Sequence, residues 1–146
     1  MAQRMSLTRF EHGAVVAQLS ETAYVVARRM RDFHVGCVVI TSGSTPIGII
    51  TDRDLALRVV AEGRDPMRTL VAEVVTFDAT TLPRTAGIET AVRTMREKGV
   101  RRLPIVTEEG KLTGIVTADD LTILLTQELA DLGLGIENRV DSTESR

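Results

Sequence analysis

One cysteine, two histidines and four prolines in 146 residues exclude several chemistries at the outset. A lone Cys37 cannot close an intramolecular disulfide, and one cysteine provides no zinc spacing. It lies inside an apolar run and reads as a core residue of a protein from a reducing compartment. His12 and His34 have no partner at a telling spacing, so they read as surface or loop residues. Neither the Walker phosphate loop nor the dinucleotide Gly-x-Gly-x-x-Gly is present. Without a nucleophile beside a base, or acids facing each other across a cleft, the expectation is a protein that is not an enzyme and requires no cofactor and no metal.

Charge imbalance and long apolar runs are also missing. A net charge of -2, with acids and bases interspersed, supplies no field for nucleic acid or an anionic membrane. No stretch can span a bilayer, and Met1 to Phe10 lacks the apolar core of a signal peptide, so a cytoplasmic location is expected. What is present, 43% hydrophobic and 26% charged residues, is enough for one compact domain.

That domain is built from an internal repeat. Ala23, Val26, Ala27 and Met30 form an amphipathic helical stripe, and Ile88, Ala91, Val92 and Met95 repeat it 65 residues later. Val35 to Ile40 and Val100 to Ile105 follow at the same shift as short strands. Pro104 places its strand at an edge or leaves that nitrogen without a ladder partner. Turns at Ser42 to Pro46 and Thr107 to Gly110 lead into second strands, Ile47 to Thr51 and Leu112 to Thr117. Helices are expected over Asp52 to Glu62 and Ala118 to about Leu132. Ala14 to Ala17 and Ala79 to Leu82 read as short β segments ahead of each repeat, and Thr69 to Val75 as a helical turn capped by Thr69. The reading is an α+β fold of two β-α-β-β-α repeats, packed sheet to sheet about a pseudo-twofold axis. The expected divisions are an N-terminal segment, 1–13; repeat 1, 14–66; a linker with repeat 2, 67–132; and a C-terminal tail, 133–146, in which Asp141 to Arg146 reads as polar and disordered.

The sharpest signal occurs twice: Gly48-Ile49-Ile50-Thr51-Asp52-Arg53-Asp54-Leu55 and Gly114-Ile115-Val116-Thr117-Ala118-Asp119-Asp120-Leu121. Each is a buried strand running straight into a helix. The Thr hydroxyl can cap that helix while the acid three residues on reaches back, close to a capping box. The same junction also aims backbone N–H groups at an anion, and an ionised carboxylate offers the acceptors that two ribose hydroxyls need. Helix capping and ligand binding both remain open on the motif alone.

The paired motif resembles the CBS family, in which a strand of the form Gly-aliphatic-aliphatic-Thr-x-x-Asp closes each repeat and two repeats form a tandem module. The likeness covers about Ala14 to Leu125, and Val100 to Val106 looks like the family's central strand. It implies that Asp54 and Asp120 bind ribose and that Thr51 and Thr117 contact ribose or phosphate. Adenine would rest on backbone and aliphatic groups near Val15 and Val16, or near Thr80 and Thr81, with no aromatic ring needed. Arg53 would face phosphate, yet its counterpart is Asp119, so the first site is expected to favour the more phosphorylated ligand. Arg101 and Arg102, aligned with Gly36 and Cys37, read either as added phosphate contacts or, at least as well, as a solvated basic face, and are left outside the site.

The function implied is a sensor of AMP, ADP, ATP or S-adenosylmethionine that signals to an unknown target protein. The alternative is a constitutive dimerisation or interaction scaffold without a nucleotide ligand. A leucine stripe, Leu121, Leu124, Leu125, Leu129 and Leu132, together with the family's habit of pairing, suggests a homodimer.

Overall fold

A computed structural model describes residues 12–77 and 80–144, with the side chains of α5 followed only to position 135. The elements run β1 (Val16–Ala17), α1 (Ala23–Phe33), β2 (Cys37–Ser42), β3 (Thr45–Thr51), α2 (Asp52–Leu55), α3 (Val71–Val74), β4 (Leu82–Pro83), α4 (Ile88–Lys98), β5 (Arg102–Val106), β6 (Leu112–Thr117) and α5 (Ala118–Glu144). Two three-stranded sheets result, in orders β1-β2-β3 and β4-β5-β6. In each, a parallel first pair is followed by an antiparallel hairpin.

The apolar stripes fold as their spacing dictates. Ala23, Val26 and Met30 of α1 are buried, as are Ala91 and Met95 of α4, whereas Ala27 and Val92 face outward in both copies. Thr22 caps α1 by accepting from the Val25 N–H. Both helices end in a left-handed residue, His34 (φ 53°) and Gly99 (φ 64°), and the next N–H bonds back to Met30 or Met95 at 3.0 Å. Glycine adopts that conformation without steric cost; a histidine there costs about 1 kcal/mol.

Three apolar clusters hold the molecule together. One fills repeat 1, around Val26, Val38, Ile40, Ile50, Val71 and Val74; a second fills repeat 2, around Leu82, Ala91, Leu103, Ile105 and Val116. Burying each such side chain stabilises by about 1.5–3 kcal/mol. The third, Cys37, Val39 and Ile115 with Ala14, Ile49 and Leu112, joins the two sheets. Backbone bonds seal the joint: His12 pairs with Ile115, Thr76 pairs with Ile49, and the Leu112 N–H donates to Ser44 O at 2.8 Å. The segment leading into each repeat is thus bonded to the outer strand of the other, which is the pseudo-twofold arrangement in hydrogen bonds.

Three expectations need correction, and a fourth is decided between its two alternatives. Pro104 lies in a central strand with its nitrogen left without a ladder partner, the second of the two readings. Its counterpart Val39 donates its N–H to Val15 O, a bond proline cannot make, and the β4 ladder begins one residue later, at Leu82 and Ile105. The residue at the start of α3 is Leu70, whose N–H donates to Glu73 Oε2. Thr69 is instead buried, with its hydroxyl on Asp65 O at 2.8 Å. Beyond Leu55 the helix widens over Ala56–Val60, with the Ala61 N–H reaching back five residues to Ala56 O. Finally, α5 continues into the segment read as disordered, as far as Glu144. Of the upstream β segments, Val16–Ala17 and Leu82–Pro83 form, while Ala79 lies outside the described residues.

Candidate functional site

Each copy of the motif closes an antiparallel hairpin and starts a helix. At the first, the Thr51 hydroxyl accepts from the Asp54 N–H at 3.1 Å and Asp54 Oδ2 accepts from the Thr51 N–H at 2.9 Å, a complete capping box. The other Asp54 oxygen is 3.3 Å from Arg58 Nη2. At the second, the Asp120 N–H donates to Thr117 Oγ1 at 3.2 Å, but the carboxylate turns elsewhere: Oδ2 accepts from the Thr117 hydroxyl and meets His12 Nε2.

Two clefts flank these junctions. The first, about 330 Å³, is lined by Ile49, Thr51, Arg53 and Asp54 of the first motif, together with Thr76, Thr80 and the turn Gly99 to Arg102. The second, about 290 Å³, is lined by Thr117, Asp119 and Asp120 with His12, Val15 and the turn His34 to Cys37. The motif of one repeat therefore faces the entry segment and central turn of the other. Thr80 belongs with the first motif and Val15 with the second, an assignment the motif spacing alone leaves undecided.

Val16 and Thr81 line neither cleft. Consecutive residues of extended chain point to opposite sides, so a wall that uses Val15 and Thr80 excludes the next residue. Val16 opens instead onto a trough with Arg29 and Phe33.

Four basic residues left outside the predicted site lie in the cleft walls. Arg101 and Arg102 line both clefts. His12 and His34, exposed as expected, line the second. The repeat alignment held the clue to the arginines, since it set two cations opposite Gly36 and Cys37. The contact between His12 and Asp120, 108 residues apart, left no such trace. Cys37 is walled in, and burial pushes its thiol up, with nearby Arg102 working against that rise.

Charge separates the clefts. The first gathers Arg53, Arg101 and Arg102 against Asp54; the second sets the same Arg101 and Arg102 against Asp119 and Asp120. Arg101 Nη2 donates to Asp119 Oδ1 at 2.8 Å. Polar groups converging on small apolar-floored clefts suit a small anionic ligand with a polar sugar. Among the described residues, no group of three or more His, Cys, Asp or Glu is placed to hold a metal, and no helix is long and apolar enough to cross a membrane.

Comparison with known proteins agrees with this architecture. The CBS domain family matches residues 11–61 and 71–126. The uncharacterised protein MK0525 of Methanopyrus kandleri is 42% identical over 103 residues, a match covering 70% of this chain and 53% of that protein, so the chain spans about half the length of this relative. A CBS domain protein from Pyrobaculum aerophilum, PAE2072, complexed with AMP, superposes with TM-score 0.74 at 25% identity, over 87% of this chain and 99% of that one. The CBS domain pair of protein MJ0100, in complex with 5'-methylthioadenosine and S-adenosyl-L-methionine, superposes with TM-score 0.76 at 17% identity over 85% and 98% of the two chains, a likeness of fold. With both repeats matched and the two sheets joined as a pair, the chain belongs to the CBS domain family.

Proposed function

We propose that this CBS pair is a regulatory module that binds an adenine nucleotide or adenosyl compound in the clefts between its repeats and passes the signal to a partner protein. The observation that carries this reading is that each Thr-x-x-Asp motif faces the entry segment of the opposite repeat across a cleft, so one ligand would touch both repeats at once. A ligand in that position biases how the repeats pack, and the signal can be no larger than its differential affinity for the two packings. The AMP complex of the Pyrobaculum aerophilum protein supports the ligand class.

Capping and binding are compatible at Asp54. An ionised carboxylate has about four lone-pair sites, and the capping box and Arg58 leave acceptors for a ribose diol. The first cleft, richer in cations, takes the more phosphorylated ligand. The completeness of the capping box at Thr51 also favours a second reading, a scaffold in which these residues only start helices.

A thermal-unfolding screen of the stripped protein against AMP, ADP, ATP and S-adenosylmethionine separates the two. A ligand present at ~100 times its Kd adds about 2.7 kcal/mol to the native state. The expected result is a clear rise with one compound, lost when Asp54→Asn and Asp120→Asn are combined in a protein of near-normal stability, with Arg53→Ala weakening the phosphorylated ligand more than Asp119→Ala. A flat panel, with the Asn variants about 1 kcal/mol less stable, favours the scaffold.

A further inference from the structure

The pseudo-twofold axis gives every residue of one cleft a counterpart in the other, and the exceptions carry the information. Arg101 corresponds to Gly36, and Arg53 to Asp119. The main chain at the first pair is alike: Gly36 O accepts from the Asp52 N–H at 3.1 Å, and Arg101 O accepts from the Ala118 N–H at 2.8 Å. Only one of the two positions carries a side chain beyond the backbone, and that guanidinium borders both clefts.

Arg101 is also the more exposed of the two shared cations. It precedes β5 and its side chain is 69% exposed, whereas Arg102 is half-buried within the strand, paired with Thr117, its Nη2 packed against Gly36. The Asp119 carboxylate that holds Arg101 is itself 78% exposed. An ion pair this exposed holds its partner by no more than about fivefold over solvent. A ligand phosphate, with more charge and more acceptor oxygens, outcompetes it.

We propose that Arg101 is a specificity-determining residue shared by the two clefts, and that Asp119 is an internal anion competing with ligand phosphate for its guanidinium. The proposal rests on the reading of the clefts as adenosyl sites. Phosphate in the first cleft draws Arg101 away from Asp119 and leaves Asp119 and Asp120 facing the second cleft without it. The second cleft then disfavours a phosphorylated ligand but accepts an uncharged nucleoside, and by linkage the effect is reciprocal.

The test is a double-mutant cycle read by calorimetric titration with ATP and with adenosine at low salt, in the full chain carrying Asp120→Asn so that ATP is confined to the first cleft. Asp119→Asn is expected to tighten ATP about threefold, Arg101→Met to weaken it by at least that factor, and neither to move adenosine. In the Arg101→Met background, Asp119→Asn is expected to be silent. An equal effect of Asp119→Asn in both backgrounds, or a loss of adenosine matching the loss of ATP in Arg101→Met, overturns the proposal while leaving the adenosyl reading intact. Binding of neither compound, in this protein or in the unsubstituted chain, overturns both.

Discussion

A methyl group on Gly48 would lie 2.6 Å from Thr76 O and 2.6 Å from Val75 Cγ2, inside the segment that crosses from one repeat to the other. The motif's glycine is therefore required by a close backbone approach. Gly48→Ala is expected to lower stability by about 1–3 kcal/mol in a denaturant titration. Gly36→Ala meets two side-chain ends, Arg102 Nη2 at 3.3 Å and Asp52 Oδ2 at 3.4 Å, and should cost less because both can shift; equal losses would show that the crossing segment yields freely. Of the cleft-lining residues named from the sequence, Thr51, Asp54, Thr117 and Asp120 were legible from a spacing of three, while Arg53, Val15 and Thr80 came from the family resemblance. Arg101, Arg102 and His12 acquire their roles from a chain segment far away, and no local pattern announces that.

Between elements, β1 is tied to α1 by a clamp. Arg29 donates to Val16 O and to Glu21 Oε2, both at 2.8 Å, while the Gln18 N–H donates to the same Glu21 oxygen at 2.7 Å. The bond from Arg29 foremost holds the Glu21 carboxyl below its ordinary value of 4.5. A carboxylate with a lowered pKa in the folded state contributes stability that is complete above that ordinary value and is lost as pH falls through the lowered one. Glu21→Gln is expected to cost about 1 kcal/mol at neutral pH and to flatten the acid limb of the stability curve. An unchanged acid limb would count against the clamp. The elements themselves were largely legible, because stripes of period near four and short apolar strands identify a helix or a strand locally. Which of the two readings of Pro104 holds could not be read locally, because it depends on which strand becomes its neighbour.

At the scale of the molecule, α5 carries more apolar surface than the body covers. Leu121 is buried, but Leu125, Leu129 and Leu132 are 46%, 69% and 62% exposed, at the spacing of one helical face. We propose a second copy of this chain as its cover, giving a homodimer. Each leucine buried there stabilises by about 1.5–3 kcal/mol. Light scattering at micromolar concentration is expected to give a dimer mass that falls to the monomer in a Leu125→Glu, Leu129→Glu double variant. A monomer from the start, or a dimer that survives the substitutions, removes α5 from the interface.

The sequence by itself determined the two repeats, their order of elements, the family and the two Thr-x-x-Asp junctions, because each rests on short-range periodicity or on self-similarity along the chain. Only the tertiary structure decided that the entry segment of each repeat bonds to the outer strand of the other, that Thr80 joins the first motif and Val15 the second, and that two arginines, Arg101 and Arg102, border both clefts. Those facts depend on how two sheets meet, and the third apolar cluster that joins them draws on residues from both halves of the chain.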